Sequence, residues 1–262
     1  MEQGKQRRLS KIFRKDGRCV MVPMDHGVTI GPIKGIENMQ KTVDDLIAGG
    51  VDAVLLHRGL AKRVKVDGAA LIVQLSGMSN RGPRRGNKVQ VCSVREAVSL
   101  DAEGVSVHVN VGDPDEDQML CQLGRVAEEC DFYGMPLLAM MYPRGPEIAD
   151  EHDVEAVAHA SRIGAELGAD IIKTNFTGSV DSFRSVVESC PVPVLIAGGA
   201  KMETPRDILQ ITEDSIKAGG AGLSIGRNVF QYGNPMLMVK ALSAIVHDSV
   251  DVEKAMKILG EI

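Results

Sequence analysis

Short apolar runs that close on polar residues, separated by amphipathic stretches, recur along the whole chain. The first is Val20-Met21-Val22-Pro23, running into Met24-Asp25-His26-Gly27. A helical pattern covers about residues 36–48, and a glycine stop then opens a strand that ends at His57-Arg58-Gly59. The strand over 69–75 ends in Ser76-Gly77 and leads into a Gly/Pro/Arg-rich excursion, 80–88, before a helix over about 93–100. The run at 104–109 ends near His108 and Asn110 and precedes a helix over about 115–132. Leu137-Leu138-Ala139-Met140-Met141 closes on Tyr142-Pro143-Arg144-Gly145, with a helix over about 154–167 behind it. Asp170-Ile171-Ile172-Lys173-Thr174-Asn175 is a strand with a lysine set into it, followed by a helix over about 180–188. The strand at 194–197 ends in Gly198-Gly199 and precedes a helix over about 206–218. The strand at 223–225 ends in Gly226-Arg227-Asn228, and the last helix starts near Pro235.

Near-continuous apolar runs are strands covered on both faces. Their alternation with helix-length segments predicts a parallel sheet under covering helices. Eight such units, joined by right-handed crossovers, close into an α/β (β/α)8 TIM barrel. An internal repeat agrees: glycine helix stops at Gly50, Gly104, Gly168 and Gly220 precede strands two, four, six and eight. A doubly wound open sheet is the rival, but no G-x-G-x-x-G turn follows the first strand. No segment has the character of a linker, so residues 1–262 are expected to form one domain with a short basic segment over about 1–18.

Charge and composition narrow the function. A net charge of -5 gives no reason to expect nucleic acid as a partner. No apolar run reaches the length of a membrane span. The basic N-terminal segment lacks an apolar core and does not read as a secretory signal. The five cysteines contain no C-x-x-C pair, which argues against a disulfide framework or zinc site and for reduced thiols in the cytoplasm.

In a barrel of this kind the active site lies at the C-terminal ends of the strands. Those ends collect Asp25, His26, His57, Arg58, Gln74, Ser76, His108, Asn110, Tyr142, Arg144, Lys173, Asn175, Gly198, Gly199, Gly226 and Arg227. A buried lysine tends to find a partner or lose its proton. A neutral amine at a strand end is the nucleophile that Schiff-base chemistry requires, while pairing with a carboxylate such as Asp25 is the alternative. Tyr142 and Asp25 are the candidates for proton transfer. The glycines after strands seven and eight, with Arg227, form a candidate phosphate site, although such glycines also make plain tight turns. His26, His57 and His108 lack the paired spacing of a metal trio, so no metal and no cofactor is expected. The excursion with Arg81, Arg84, Arg85 and Lys88 reads either as a lid over an anionic substrate or as a solvated hairpin. The N-terminal charges Lys5, Arg7, Arg8, Lys11, Arg14 and Lys15 read as a solvated helix face.

Met24-Asp25-His26-Gly27, Met140-Met141-Tyr142-Pro143-Arg144-Gly145, Ile172-Lys173-Thr174, Ala197-Gly198-Gly199 and Ile225-Gly226-Arg227-Asn228 together resemble the archaeal-type class I fructose-bisphosphate aldolase family. The likeness covers nearly the whole chain. It implies Lys173 as the Schiff-base lysine, Tyr142 as general acid/base and Asp25 as the assisting carboxylate. It also implies phosphate contacts at Gly198, Gly199, Gly226 and Arg227, and a high-order homo-oligomer (a decamer in related enzymes); His26 and Arg144, at the same strand ends, are expected to be further substrate-binding residues. Aldolase members tend to carry tryptophan two residues before the tyrosine, where this chain has Met140. That departure favours a transaldolase-like branch of the family. Its members move a hydroxyacetone unit from a phosphorylated keto sugar, 6-deoxy-5-ketofructose 1-phosphate, to the aldehyde acceptor L-aspartate semialdehyde, on an alternative route to 3-dehydroquinate and aromatic amino acids. Fructose 1,6-bisphosphate cleavage is the runner-up. A metal-dependent lyase using the histidines and a non-catalytic phosphosugar-binding protein are the readings from other classes.

Overall fold

The computed structural model describes residues 3–260. Its strands are β1 (Cys19–Pro23), β2 (Ala53–His57), β3 (Ala70–Gln74), β4 (Ser76–Gly77), β5 (Val89–Gln90), β6 (Gly104–Val111), β7 (Leu137–Pro143), β8 (Ile171–Thr174), β9 (Val194–Ala197) and β10 (Gly222–Ser224). The helices are α1 (Gln3–Ile12), α2 (His26–Ile30), α3 (Met39–Ala48), α4 (Arg58–Ala61), α5 (Val94–Ser99), α6 (Glu116–Tyr133), α7 (Val154–Glu166), α8 (Val180–Ser189), α9 (Pro205–Lys217), α10 (Arg227–Phe230), α11 (Pro235–Asp248) and α12 (Val252–Leu259). Eight strands close into a parallel barrel in the order β1-β10-β9-β8-β7-β6-β3-β2, while β4 and β5 pair outside it as a short antiparallel hairpin. This is a (β/α)8 TIM barrel.

Alternation along each strand divides the core into two clusters. Val20, Val22, Val54, Leu56, Val105, Val107, Ile172 and Ile196 face outward under the helices. Cys19, Met21, Ala53, Leu55, Ala70, Ile72, Leu138, Met140, Ile171 and Leu195 fill the interior. Following the inward positions upward shows where the chemistry begins, because strand side chains alternate faces with period two. The series are Ala53-Leu55-His57 on β2, Ala70-Ile72-Gln74 on β3, Leu138-Met140-Tyr142 on β7 and Ile171-Lys173 on β8. Each is apolar at the bottom and polar at the top. The bottom is closed by α1, whose Ile12 joins the interior cluster with Leu9 and Phe13 packed beside it.

Three local expectations change. Tyr142 and Pro143 belong to β7 itself rather than to the turn after it. The C-terminal region holds two helices rather than one, because Ser249 in the left-handed region (φ 55°) ends α11 and Asp251 caps α12 by accepting from Lys254 N. The N-terminal charges are not simply a solvated face. Lys5 is buried between Asp131 (2.6 Å) and Asp170 (3.1 Å), and Arg14 pairs with Asp52.

Candidate active site

A cavity of about 250 Å³ opens at the C-terminal end of the barrel, lined by residues from seven of its eight strands or the loops above them. Asp25, His26, Tyr142, Arg144, Lys173, Gly198, Gly199, Gly226 and Arg227 all line it, so the structure brings the nine sequence-predicted residues together. His57, Arg58, Gln74, Ser76 and Asn110 stand outside the lining, and Arg58 pairs instead with Glu96 at 3.0 Å. Among the described residues no three His, Cys, Asp or Glu side chains are placed to hold a metal ion.

Lys173 sits at the level of Met140 on β7 and Leu195 on β9. The next residue fixes that register, since Thr174 Oγ1 donates to Met141 O at 2.8 Å. Lys173 is only 6% exposed, and its Nζ has no hydrogen-bond or ion-pair partner among the described residues. Burial therefore pulls its pKa down to about 8; the Asp25 charge opposes the shift and Arg144 adds to it. No ion pair joins Lys173 to Asp25, so the carboxylate acts on the amine through space. At about 8 a useful fraction of the amine is neutral near pH 7.

Tyr142 is one inward step above Met140. Burial pushes its phenol up, an effect that Arg144 opposes and Asp25 and Glu151 reinforce, so it stays protonated and available as a donor. The Arg144 guanidinium lies 4.3 Å over the Tyr142 ring. It is held there by Glu151, whose carboxylate accepts from Nε at 2.5 Å. Asn175 Nδ2 donates to Glu151 O at 2.8 Å, tying the loop above β7 to the end of β8. On the other flank His108 packs against the Tyr142 ring at 5.0 Å. Burial keeps its imidazole neutral, and Asn110 Oδ1 at 2.8 Å holds the proton on Nε2.

Across the mouth, the glycine turns after β9 and β10 meet. A side chain at Gly226 would put its Cβ 2.7 Å from Pro23 O, so only glycine lets this turn close on β1. Asn228 clamps the facing turn by donating to Gly198 O (3.1 Å) and Ala200 O (3.0 Å). Arg227 Nη2 donates to Gly199 O at 2.8 Å, while its Nε is buried without a partner. His26 Nδ1 is likewise buried without a hydrogen bond, 3.7 Å from Asp25 Oδ1, its ring edge-on to Phe230.

Sequence reasoning missed Lys88 as a lining residue, along with Thr29 and Ser224. Lys88 was legible only as one cation in a basic excursion. Glu151 carried no signal, because its role depends on a loop folding back over β7.

Comparison with known proteins agrees with this geometry. The model of the DeoC/LacD family aldolases matches residues 19–232. A "2-amino-3,7-dideoxy-D-threo-hept-6-ulosonate synthase 1" of Archaeoglobus fulgidus is 45% identical over 98% of this chain and 96% of its own length. A "2-amino-4,5-dihydroxy-6-oxo-7-(phosphonooxy)heptanoate synthase" of Streptomyces griseus is 39% identical over 92% and 90%. A solved Schiff-base-forming fructose-1,6-bisphosphate aldolase superposes with a TM-score of 0.88 at 31% identity, covering 93% of this chain and all of that one. Matched over most of its barrel and along nearly the full length of these relatives, the chain belongs to the DeoC/LacD family of aldolases.

Proposed function

We propose that the chain is a Schiff-base transaldolase-type synthase that moves a hydroxyacetone unit from 6-deoxy-5-ketofructose 1-phosphate to L-aspartate semialdehyde. The observation that carries the reading is Lys173, a buried and unpaired amine with its pKa lowered to about 8 beside a protonated tyrosine. Neutral Lys173 attacks the ketone of the donor and loses water to form an iminium. The hydroxyl beyond the scissile bond gives up its proton through Tyr142, the phenol passing its own proton toward the Asp25 carboxylate as it takes the substrate's, and the bond electrons pass into the iminium. An aldehyde departs and an enamine remains on the lysine. The enamine carbon then attacks the second aldehyde, Tyr142 protonates the new alkoxide, and water releases the product and the amine.

Two relatives support the acceptor, since their names describe seven-carbon 2-amino acids with a ketone at carbon 6, the carbon count of a three-carbon ketone unit joined to L-aspartate semialdehyde. Met140 supports it too. It lines the cavity next to Tyr142's position, where its flexible thioether leaves space that a rigid indole would fill. One observation favours a second donor class. The turns with Gly198, Gly199, Gly226 and Arg227 flank Lys173 on the side away from Tyr142, where a phosphate on the ketone half would lie. That suits a dihydroxyacetone phosphate unit, as in fructose 1,6-bisphosphate cleavage or in the phosphonooxy product of the Streptomyces relative. The high-order homo-oligomer and cytoplasmic location belong to the same proposal. Phe132, 80% exposed on α6, offers an apolar contact for assembly, and no helix among the described residues is long and apolar enough to cross a membrane.

The test is kcat/KM for transfer to L-aspartate semialdehyde against cleavage of fructose 1,6-bisphosphate, on one purified sample. Transfer is expected to be faster. A higher value for the bisphosphate returns the chain to the aldolase branch and leaves the lysine chemistry intact.

A further inference from the structure

Lys88 is a cavity cation that the mechanism above does not use, and unlike Arg144, which Glu151 holds, it has no ion-pair partner among the described residues. It is 9% exposed and lines the same cavity as Lys173 and Tyr142. Among the described residues its ammonium makes no hydrogen bond and no ion pair. Burial alone would favour loss of its proton; the Asp25 charge resists that and Arg144 does not. The groups facing it are Asp25 above β1, His57 on β2, His108 on β6 and Arg144 above β7, and Arg144 is already paired with Glu151. Among the described residues Asp25 is the single carboxylate that lines the cavity, against Lys88, Arg144, Lys173 and Arg227, so the lining carries more positive than negative charge.

The position is built rather than incidental. Residues 80–88 leave and rejoin the barrel through the β4–β5 ladder, where Ser76 pairs with Gln90 and Gly77 with Val89. Asn80 N donates to Thr29 O at 3.1 Å, and Asn110 Nδ2 donates to Gly86 O at 2.7 Å. Asn87, beside Lys88, is itself buried. In the order of the barrel, β3 lies four strands from β9 in either direction, so Lys88 stands across the mouth from Gly198 and Gly199. Between them, on one side, the strands present Lys173, then Tyr142, then His108. A substrate held by its ketone carbon on Lys173, with the scissile bond toward Tyr142, therefore extends its aldehyde half toward Lys88.

We propose that Lys88 binds the anionic end of the aldehyde half and so sets acceptor specificity. The inference rests on the transaldolase reading. In the forward reaction carbons 1–3 of the donor leave as an aldehyde that carries the phosphate. The incoming L-aspartate semialdehyde brings a carboxylate to the same place. One cation serves both, because the two aldehydes occupy this side in turn.

The decisive pair of acceptors is succinic semialdehyde and butanal, which differ only in the carboxylate. Each is assayed with hydroxyacetone and, in parallel, dihydroxyacetone phosphate as ketone donor, so that only the acceptor occupies the aldehyde side. Lys88→Met should lower kcat/KM for L-aspartate semialdehyde and for succinic semialdehyde at least tenfold, with butanal within twofold. Lys88→Arg should recover most of the loss, which separates charge recognition from damage to the hairpin. Release of the aldehyde from 6-deoxy-5-ketofructose 1-phosphate, against its unphosphorylated form, reads the phosphate arm. Equal losses for succinic semialdehyde and butanal, or no loss for either, would overturn the proposal. Should the wild type ignore L-aspartate semialdehyde and cleave fructose 1,6-bisphosphate, the transaldolase reading fails by itself. The same comparison with glyceraldehyde 3-phosphate and glyceraldehyde then decides Lys88.

Discussion

Asp52 and Lys173 stand at opposite ends of one barrel and meet opposite surroundings. Asp52, just before β2, accepts from Val20 N at 2.6 Å, from Arg14 Nε at 2.5 Å and from His247 at 2.9 Å. The other ring nitrogen of His247 lies 2.7 Å from Asp16. Lys5 bridges Asp131 and Asp170 at the same end of the barrel, beside β8. At the far end, among the described residues, Lys173 and Lys88 have no hydrogen-bond or ion-pair partner, Arg227 Nε is buried and unmatched, and His26 Nδ1 is buried without a hydrogen bond, 3.7 Å from Asp25. Leaving buried polar groups unsatisfied costs about 1–3 kcal/mol each. A fold accepts that cost where a ligand completes the set, so the closed network serves stability and the open one serves binding and reaction.

The largest break in this contrast is Lys173→Ala. It should abolish turnover and the borohydride-reduced adduct while leaving the melting temperature unchanged or higher, since it removes a buried unpaired amine. Peptide mass spectrometry of the trapped adduct checks it, and recovery on Lys201 or Lys34 would reassign the nucleophile. Next in size, Tyr142→Phe should reduce kcat by about 10²–10⁴-fold, the usual range for a lost general acid or base, with the adduct still trapped. Loss of the adduct to the same degree would place the phenol in imine formation instead. Arg227→Ala should cost about 1.5–3 kcal/mol in kcat/KM for dihydroxyacetone phosphate as donor, the value of a charge-assisted hydrogen bond. Dihydroxyacetone itself should lose much less. If both lose equally, Arg227 is only a brace for Gly199.

The smallest effect on rate, and a clear one on stability, belongs to His247→Asn. Burial disfavours the imidazolium, but the hydrogen bonds with Asp52 and Asp16 and the Asp52 charge outweigh it and raise its pKa. A raised pKa means the stabilisation is complete below the unfolded value, about 6.5, and fades as pH climbs through the folded value. Denaturant melts should therefore separate wild type and variant most at pH 6 and least at pH 9. A gap independent of pH would make His247 a packing residue.

The barrel was legible because each strand is a short apolar run with its polar residues at one end, a pattern that needs no long-range knowledge. The nine cavity residues were legible for the same reason, as seven barrel strands or the loops above them deliver the lining to one mouth. Lys88 was not. Nothing in Arg84-Arg85-Gly86-Asn87-Lys88 separates the buried cation from the exposed ones. The difference arises from a two-rung hairpin and from Asn110 reaching across to Gly86. Lys5 and Arg14 hid likewise, since their carboxylates are far away in sequence and a basic helix face looks solvated until its partner surface exists.

Closing the ring joins the first barrel strand to the last. Cys19, Val20 and Met21 of β1 pair with Gly222, Leu223 and Ser224 of β10, and Arg18 Nη1 donates to Val246 O at 2.7 Å. Contacts so distant in sequence slow folding, because the entropy of closing the long intervening loop comes before any reward. During synthesis at about 5–20 residues per second, β1 emerges roughly ten to forty seconds before the strand that completes it. Through that interval one side of β1 is an unpaired, wholly apolar edge, the kind of template on which nascent chains aggregate. The finished barrel has no edge at all, so the hazard belongs to the ribosome-bound chain and ends with the arrival of β10.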